Sequence, residues 1–309
     1  MYSNINRDSE YINRLSDYIC REYQIIPIAL TPAKRGFYGE TWRLEVTGDK
    51  RYFIKIVYPA THKFVYERSF PIIQRLFDNG IGFINRIIKT KDSKLSTEFD
   101  GAVLGIFDWI DGENIETDDT KIPEYQMLAK VYTISACGIP ISRENFSGKN
   151  AERVFEQWRI LEDKPLLLLL EKNRAKLEHR AERLKKFSAF CKGDTTDFVI
   201  THGDAGGNFM VSGDKYFIVD WDNPILAPPE RDAWVMCGKD WARDAFHDAL
   251  RQNDIAYMLR PERLAYYCYD FFFFYLTAFL DASAQADTVE EYIDGWIEWS
   301  FKYADKVKV

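Results

Sequence analysis

The stretch VITHGDAGGNFMV, residues 199–211, places a short polar loop between two apolar runs. Apolar runs on both sides of a glycine-bearing loop predict strands that enter and leave it. The loop carries His202, Asp204 and Asn208, and its two glycines allow the backbone to turn tightly. Turns favour these residue types for conformational reasons alone, so the loop indicates a function only together with other segments.

A second segment, YFIVDWD at residues 216–222, follows shortly and also ends in acids. Its apolar run predicts a strand that ends near Asp220, with Asp222 two residues further on. If this strand forms a hairpin with the one before the polar loop, Asp204, Asn208 and Asp220 lie at one edge. Carboxylate and amide oxygens suit a hard ion such as Mg²⁺, which also binds phosphates. A carboxylate that the ion does not use is able to take a hydroxyl proton.

Upstream, the segment YFIKIVYP at residues 52–59 predicts a strand with apolar side chains on both faces. Lys55 lies within it, and a buried ammonium without a partner is costly. The lysine therefore requires an acidic partner or a polar cleft, unless it reaches solvent at the strand end. Glu67, in the following helical pattern, is a candidate partner, although a single glutamate on a helix is most often an ordinary surface residue.

The periodicity along the chain predicts an α+β fold with two lobes. Residues 1–107 predict a small lobe with an antiparallel sheet and a helix, and residues 108–309 predict a larger, mostly helical lobe. The predicted segments are an amphipathic helix over 7–24, strands at TWRLEV (41–46), RYFIKIVYP (51–59), FINRIIKT (83–90) and GAVLGIFDWI (101–110), a helix over 64–80, and one long charged helix over 169–191.

Composition narrows the class of protein. The 309 residues are 46% apolar with a net charge of −7, which favours folded cores and disfavours nucleic acid as a partner. The negative charge suits a small, cationic substrate. The scattered cysteines, without a CxxC pair, favour a reducing cytoplasm, and the polar N-terminus lacks the apolar region of a signal peptide. The most apolar run, residues 266–280, is too short for a membrane span and contains Asp270.

Taken in order, the strand lysine, the helix glutamate, the polar loop and VDWD resemble the protein-kinase-like fold of the aminoglycoside phosphotransferase and choline kinase group. The catalytic stretch of that group is written HGDxxxxN and its metal-binding stretch DW[DE]. His202, Asp204, Asn208 and Asp220 match these stretches. The loop departs from the pattern because three residues, not four, separate the aspartate from the asparagine. One missing residue shifts the asparagine by up to about 3.5 Å along the chain.

The segment NPILAPPERDAW, residues 223–234, is similar to the spectinomycin phosphotransferase branch of this group. In that branch a proline-bearing segment leads to an Arg-Asp pair that opens a helix, and Arg231 and Asp232 match the pair. The resemblance implies a structural role for Asp232, which would anchor the catalytic loop.

The resemblance implies a kinase that moves the γ-phosphoryl group of ATP to a hydroxyl, with GTP as the alternative donor and Mg²⁺ as the ion. Lys55, held by Glu67, would bind the α- and β-phosphates. Asp220 would hold Mg²⁺, with Asn208 if the shortened loop lets it reach. Asp204 would take the hydroxyl proton, and His202 would brace the loop.

Two further segments are expected to bind the nucleotide because of their positions in the chain. The loop KRGFYGETW, residues 34–42, precedes the strand of Lys55 and would cover the phosphates with Gly36 and Gly39. The crossover after residue 107 would offer backbone groups to adenine. Its residues are Phe107, Asp108, Trp109 and Ile110.

The acceptor is left open by the sequence. Asp240, Asp244 and Asp248 fall four residues apart on one helical face, which suits either an aminated sugar or a solvated surface. Asp270, among aromatic residues, is the better single candidate for binding a cation. The first hypothesis is an aminoglycoside or aminocyclitol kinase, and the second is a kinase for choline, a sugar, homoserine or a glycated amine. The third is a catalytically inactive binding protein. Each would be a monomer or a homodimer without a membrane anchor.

Overall fold

A computed structural model describes most of the chain, and packing divides it into two compact units. The first unit joins Met1–Ser142 to Asp204–Pro224, and the second joins Arg143–Gly203 to Ile225–Val309. The first unit is therefore larger than residues 1–107, because two later segments pack with them. The assignment of nucleotide and substrate roles to 1–107 and 108–309 stays a prediction. The described residues are 7–33, 39–58, 60–282, 284–295 and 297–309.

The first unit contains an antiparallel five-stranded sheet with the order β1-β2-β3-β5-β4. The strand of Lys55, β3, lies in the middle, with Lys55 opposite Thr41 on one side and Gly105 on the other. Helices α1 and α2 belong to this unit. The bounds are α1 (Ser9–Tyr23), β1 (Ala29–Pro32), β2 (Gly39–Glu45), β3 (Arg51–Val57), α2 (Ala60–Asp78), β4 (Thr97–Phe99) and β5 (Ala102–Asp108).

Helix α1 confirms the amphipathic pattern predicted over residues 7–24. The Asp8 side chain caps its start by accepting the N–H of Tyr11 at 2.8 Å. Leu15 and Ile19 on its apolar face pack with the residues of the sheet into one buried core. Each such side chain contributes about 1.5–3 kcal/mol when it is removed from water, so the core fixes one side of the sheet.

Helix α2 packs against β5 through aromatic side chains. Gly105 allows this close approach, because a Cβ there would lie 2.6 Å from Phe70 Cε1 and 2.9 Å from the hydroxyl oxygen of Tyr66. Tyr66 also donates a hydrogen bond to the carbonyl of Lys55 at 3.4 Å. The helix face towards the sheet is therefore aromatic, and Pro71 is accommodated within the helix.

The remainder of the first unit carries the polar segments. A three-stranded sheet with the order β6-β8-β9 includes a hairpin between β8 and β9, in which Phe209 lies opposite Ile218. The polar loop enters this hairpin and the VDWD segment leaves it. The bounds are β6 (Glu113–Asn114), α3 (Asp118–Tyr132), β8 (Phe209–Ser212) and β9 (Lys215–Ile218).

The second unit is mostly helical. Its long aromatic helix α9 packs against α4, α6 and α11. A two-stranded antiparallel sheet of β7 and β10 accompanies the helices. The bounds are α4 (Lys149–Ile160), α5 (Lys164–Lys172), α6 (Arg174–Cys191), β7 (Val199–Thr201), β10 (Ile225–Ala227), α7 (Glu230–Ala233), α8 (Asp240–Gln252), α9 (Pro261–Asp281), α10 (Ala286–Gly295) and α11 (Glu298–Ala304).

The expected hairpin between the strand before the polar loop and the strand of VDWD is wrong. Strand β7 pairs with β10, and β9 pairs with β8. The apolar residues after the polar loop form a strand of their own, and this strand takes the place beside β9. The polar loop and VDWD are nevertheless brought together, as the site below shows.

Two other predictions of elements are corrected. The segment FINRIIKT makes a single bridge, from Ile87 to Phe107, because β4 already occupies the other part of the edge of β5. The predicted charged helix is two helices, α5 and α6, which meet at Asn173. Across the described residues, we find no helix with the length and apolar character that a bilayer span requires.

Candidate active site

Lys55 lies deep in the first unit and is paired with two acids. Its side chain is 7% exposed, and its Nζ is 2.6 Å from Asp220 Oδ1. It also donates a hydrogen bond to Asp222 Oδ2. Burial alone would lower the pKa of Lys55, but attraction to the two carboxylates outweighs it and raises the pKa. The lysine therefore stays charged, and the alternative that it reaches solvent at the strand end is wrong.

Glu67 is not the partner that the resemblance implied. Its side chain is exposed on α2, and the ion pairs of the described residues join Lys55 to Asp220 and Asp222 instead. The physical reason is the rotation of α2, which turns Tyr66 towards Lys55, with the ammonium 5.7 Å from the ring centroid. The next residue along a helix points about 100° away, so Glu67 faces outward.

The VDWD segment is held in place by the tryptophan between its two acids. Trp221 is buried, and its indole N–H donates to the carbonyl of Ile218 at 2.9 Å. Asp220 has a φ of 61°, in the left-handed region that aspartate tolerates better than most residues. The buried indole and the left-handed turn together direct both carboxylates towards Lys55.

The two acids differ in exposure. The side chain of Asp220 is 45% exposed and that of Asp222 is 28% exposed. Burial, followed by repulsion from Asp220, raises the pKa of Asp222 to about 7 against the opposing attraction of Lys55. No role was predicted for Asp222 from the sequence, although two acids on either side of a tryptophan are a signal that both side chains face one cation.

The polar loop forms a single 3-10 turn at Gly206–Asn208. The amide nitrogen of Asn208 donates to the carbonyl of Asp204 at 2.7 Å and to its Oδ2 at 3.3 Å. The carbonyl of Asn208 accepts the N–H of Val219 at 3.0 Å. Asn208 thus links the catalytic candidate Asp204 to the residue before Asp220, in spite of the shortened loop.

A charge cluster beside this turn is centred on Lys121 of α3, whose side chain is buried. Lys121 Nζ lies 3.0 Å from Glu124 Oε2 and 3.2 Å from Glu116 Oε1. A Cβ on Gly206 would lie 2.6 Å from this ammonium and 3.0 Å from Glu116 Oε1. A side chain at this position would therefore require the ends of these side chains or the loop to move, which the sequence did not indicate.

In the second unit, Asp232 has the contacts that an anchoring role needs. Its carboxylate accepts the N–H of His202 at 3.1 Å and also accepts the N–H of Gly203. These two residues directly precede Asp204 in the chain. Gly203 has a φ of 87°, and a side chain there would collide with the guanidinium of Arg231. The bracing role of His202 and the anchoring role of Asp232 stay predictions.

The predicted phosphate loop is only partly described. Gly36 lies outside the described residues, whereas Gly39 begins β2. A side chain on Gly39 would collide with the carbonyl of Ile56, so this position requires close approach of two backbones. Its role in phosphate binding stays a prediction.

The predicted adenine segment follows β5. Phe107 is buried, and the N–H of Asp108 donates to the carbonyl of Arg86 at 2.9 Å. The N–H of Trp109 makes a longer bond of 3.4 Å to a carbonyl of β3. Within the described part of the chain, the N–H of Ile110 has no backbone partner, which leaves it as the donor of this segment best suited to a ligand.

The substrate candidates lie in the second unit. Asp240 forms an exposed ion pair with Arg243 on α8, and Asp244 is exposed, as in a solvated face. Asp270 differs, because the amide of Asn150 donates to its Oδ2 at 3.0 Å while its Oδ1 is buried without a hydrogen-bond partner among the described residues. Burial raises the pKa of Asp270 to about 7.

The donor atoms near Lys55 fit a magnesium-bound nucleotide. Asp220 offers exposed carboxylate oxygen, and Asn208 offers its amide oxygen, because its amide nitrogen already faces Asp204. Mg²⁺ in nucleotide sites is held by one or two carboxylates, with phosphates and water as its other ligands. Among the described residues, no group of three or more His, Cys, Asp or Glu is placed to hold a metal ion.

Comparison with known proteins identifies the family. A model of the phosphotransferase enzyme family matches residues 29–272, most of the chain. The chain therefore belongs to this family. It is a small-molecule kinase, an ATP-dependent phosphotransferase with an alcohol group as acceptor. A search of curated proteins finds no match.

Solved structures share the fold over nearly the whole chain. A spectinomycin phosphotransferase in complex with ADP and spectinomycin is 21% identical, with a TM-score of 0.75, and the match covers 94% of this chain and 98% of that chain. A microcompartment-associated aminopropanol kinase is 12% identical, with a TM-score of 0.64 and coverage of 96% and 98%. A choline kinase from Cryptosporidium parvum is 12% identical, with a TM-score of 0.61 and coverage of 97% and 96%. These likenesses confirm the predicted α+β, protein-kinase-like fold.

Proposed function

We propose that this protein transfers the γ-phosphoryl group of ATP to a hydroxyl of a cationic aminoglycoside or aminocyclitol, and so acts as an antibiotic phosphotransferase. The observation that carries the proposal is the contact of Lys55 with Asp220, 165 positions later in the sequence. A buried strand lysine, an exposed aspartate and the Asp204–Asn208 turn then belong to one set of contacts in the first unit. This set supports binding of a magnesium nucleotide next to a hydroxyl acceptor.

Different residues of the first unit bind the phosphates, hold the metal ion and accept the proton. Lys55 binds the α- and β-phosphates, and Asp220 with Asn208 holds Mg²⁺, which neutralises phosphate charge when bound. Asp204 orients the acceptor hydroxyl and takes its proton. The backbone around Ile110 receives adenine. Catalysis of this kind depends mostly on positioning, so the ties between Asp204, Asn208 and Val219 matter as much as the charges.

Asp270 supports a cationic acceptor. Its Oδ1 is buried and unpartnered among the described residues, and an ammonium group of the substrate would supply the missing donor and charge. Repulsion from Glu144 adds to the effect of burial in raising the pKa of Asp270, so the local field favours a cation. The net charge of −7 attracts such a substrate over a longer distance.

A kinase for choline or another amino alcohol is the second candidate. The shared fold with an aminopropanol kinase over 96% of this chain favours it. Such a substrate is also a cation with one hydroxyl, so Asp270 suits both candidates. The hydrogen bond between Asn208 and Asp204 favours an active kinase over the third hypothesis, a catalytically inactive binding protein.

A substrate panel tests the proposal. The purified protein is incubated with Mg²⁺ and either ATP or GTP, together with spectinomycin, several aminoglycosides, choline, aminopropanol and neutral sugars, and release of nucleoside diphosphate is measured. We expect turnover with an aminated cyclitol or sugar, and turnover at least about 10²-fold slower with the Asp204→Asn variant. Turnover with choline or aminopropanol alone would instead favour the second candidate, and wild-type protein that does not bind ADP would contradict both.

We also propose a cytoplasmic protein, monomeric or homodimeric, whose nucleotide site uses residues 1–107 together with the segment around 204–222. The scattered free cysteines support a reducing compartment. Size-exclusion chromatography with light scattering measures the oligomeric state directly.

A further inference from the structure

We propose that Asp222 is the carboxylate that positions Lys55 for the nucleotide phosphates, in the role that the resemblance had implied for Glu67. The proposal rests on the proposed function, because it assumes that Lys55 binds a nucleotide. It concerns a residue that touches Lys55 and acts through it, so Asp222 is a positioning residue.

The two acids that contact Lys55 differ in their exposure to solvent. Lys55 contacts both Asp220 and Asp222, but Asp220 is the more exposed of the two and is the metal candidate. An aspartate that engages an ion offers less charge to a lysine. Asp222 then remains as the neighbouring carboxylate that keeps the buried ammonium paired and correctly directed.

The backbone that carries Asp222 is held rigidly. Asp222 follows Trp221, whose indole is buried and hydrogen-bonded to the carbonyl of Ile218 at 2.9 Å. The carboxylate therefore starts from a fixed backbone, as a positioning group must.

Helix α2 presents an aromatic face, not an acidic one, to Lys55. Tyr66 is buried against Lys55, with its hydroxyl on the carbonyl of Lys55 and its ring 5.7 Å from the ammonium. An aromatic residue thus occupies the place where a helix carboxylate would have to lie. Rotation of α2 to bring Glu67 inward would remove Tyr66 and Phe70 from their packing against Gly105.

The test measures binding of ADP by calorimetry in EDTA and again with Mg²⁺. The variants are Asp222→Asn, Asp222→Glu and Glu67→Gln, with Asp214→Asn as a matched control, since Asp214 is an exposed aspartate in the β8–β9 turn. We expect Asp222→Asn to weaken metal-free binding about tenfold, because Lys55 is then drawn to Asp220 alone. Asp222→Glu should recover part of this loss, while Glu67→Gln and Asp214→Asn should bind within about twofold of the wild type.

The kinetic counterpart separates positioning from damage to the fold. Asp222→Asn should raise the KM for ATP more than it lowers kcat, and in a Lys55→Met background it should add no further loss of ADP affinity. Thermal unfolding of each variant identifies loss of folded protein. If Asp222→Asn does not fold, Asp222→Glu decides: metal-free binding between that of the wild type and that of Lys55→Met supports the proposal, and binding equal to the wild type contradicts it.

Several outcomes overturn the proposal. An equal or larger loss in Glu67→Gln would return the role to the helix glutamate. Unchanged metal-free binding with a higher Mg²⁺ requirement would make Asp222 a metal ligand. Tighter binding of ADP by Asp222→Asn would mean that the carboxylate of Asp222 competes with the nucleotide phosphates for Lys55. Absence of ADP binding by the wild type would instead defeat the proposed function itself, so the two failures are distinguishable.

Discussion

At the scale of single residues, Asp204 is the group on which turnover should depend most. Its side chain is exposed in the polar loop and accepts the amide of Asn208. We expect Asp204→Asn to lower kcat by about 10²–10⁴-fold, because the variant is unable to take the hydroxyl proton. ADP affinity should change by less than about twofold. Steady-state kinetics and calorimetry check both values, and an equal loss in Asp214→Asn would contradict the assignment.

Gly206 is the second residue that should control turnover. A methyl group there meets the ammonium of Lys121, which Glu124 and Glu116 hold in place. Either the end of the Lys121 side chain or the loop must move, and displacement of a catalytic group by about 1 Å is able to cost up to about 10²-fold in rate. We expect Gly206→Ala to lower kcat about tenfold or more with little change in thermal stability. Gly207→Ala is the matched comparison, because its nearest atom is 3.9 Å away, and an equal loss in both variants would contradict this reasoning.

The partner of Lys55 shows what residue patterns predict and what they leave out. The burial of Lys55 and its need for an acid follow from the apolar pattern of β3. The choice between Glu67 and Asp222 depends on the rotation of α2 and on the path of the chain after β9. Both are set by packing at Gly105 and Trp221, which no local pattern contains.

At the scale of elements, the contact between α2 and β5 should limit stability. A side chain on Gly105 meets the ring of Phe70 and the hydroxyl of Tyr66, and both residues are buried and unable to move far. We expect Gly105→Ala to reduce the free energy of unfolding by about 1–3 kcal/mol. Urea denaturation measures the change. Gly82→Ala, which meets no atom within 4 Å, should leave it nearly unchanged, and equal effects of the two would be inconsistent with this packing.

The elements themselves were predicted unevenly. Alternating and 3.6-residue patterns were enough for α1, β2, β3 and β5, since each buries one strong apolar face or two. The pairing of the strands was harder to predict from the sequence. The segment around Ile87 reads as a strand but has only a short edge of β5 beside it, and β7 and β9 have partners that were not anticipated. Competition for a sheet edge depends on the whole set of strands.

At the scale of the whole molecule, buried carboxyls should make stability depend on pH. Glu230 is buried in the second unit, where the hydroxyl of Tyr257 and the N–H of Arg260 donate to it. Burial raises the pKa of Glu230 from 4.5 to about 7, although these donors and Arg263 oppose the shift. The folded state therefore holds a proton that the unfolded state releases above about pH 4.5, and stability is lost as the pH rises to about 7.

The variant Glu230→Gln tests this expectation. Between pH 5 and pH 7 the variant should gain stability relative to the wild type, by up to about 1.4 kcal/mol per pH unit, because the amide does not ionise. Urea denaturation across this range measures the difference. The variant Glu10→Gln, at an exposed position, serves as the control and should show no such trend. If the stability of the wild type rises relative to that of Glu230→Gln as the pH increases, the raised pKa of Glu230 is contradicted.

The discontinuous first unit has a consequence for biosynthesis. Its opening 142 residues leave the ribosome before the Asp204–Pro224 segment exists, and the intervening residues of the second unit emerge in between. Until that later segment arrives, the nascent β3 has a lysine without its counter-charges. A chain arrested before residue 222 should therefore remain sensitive to protease around β3, and the first unit is completed only after the segment that ends at Pro224 has been synthesised.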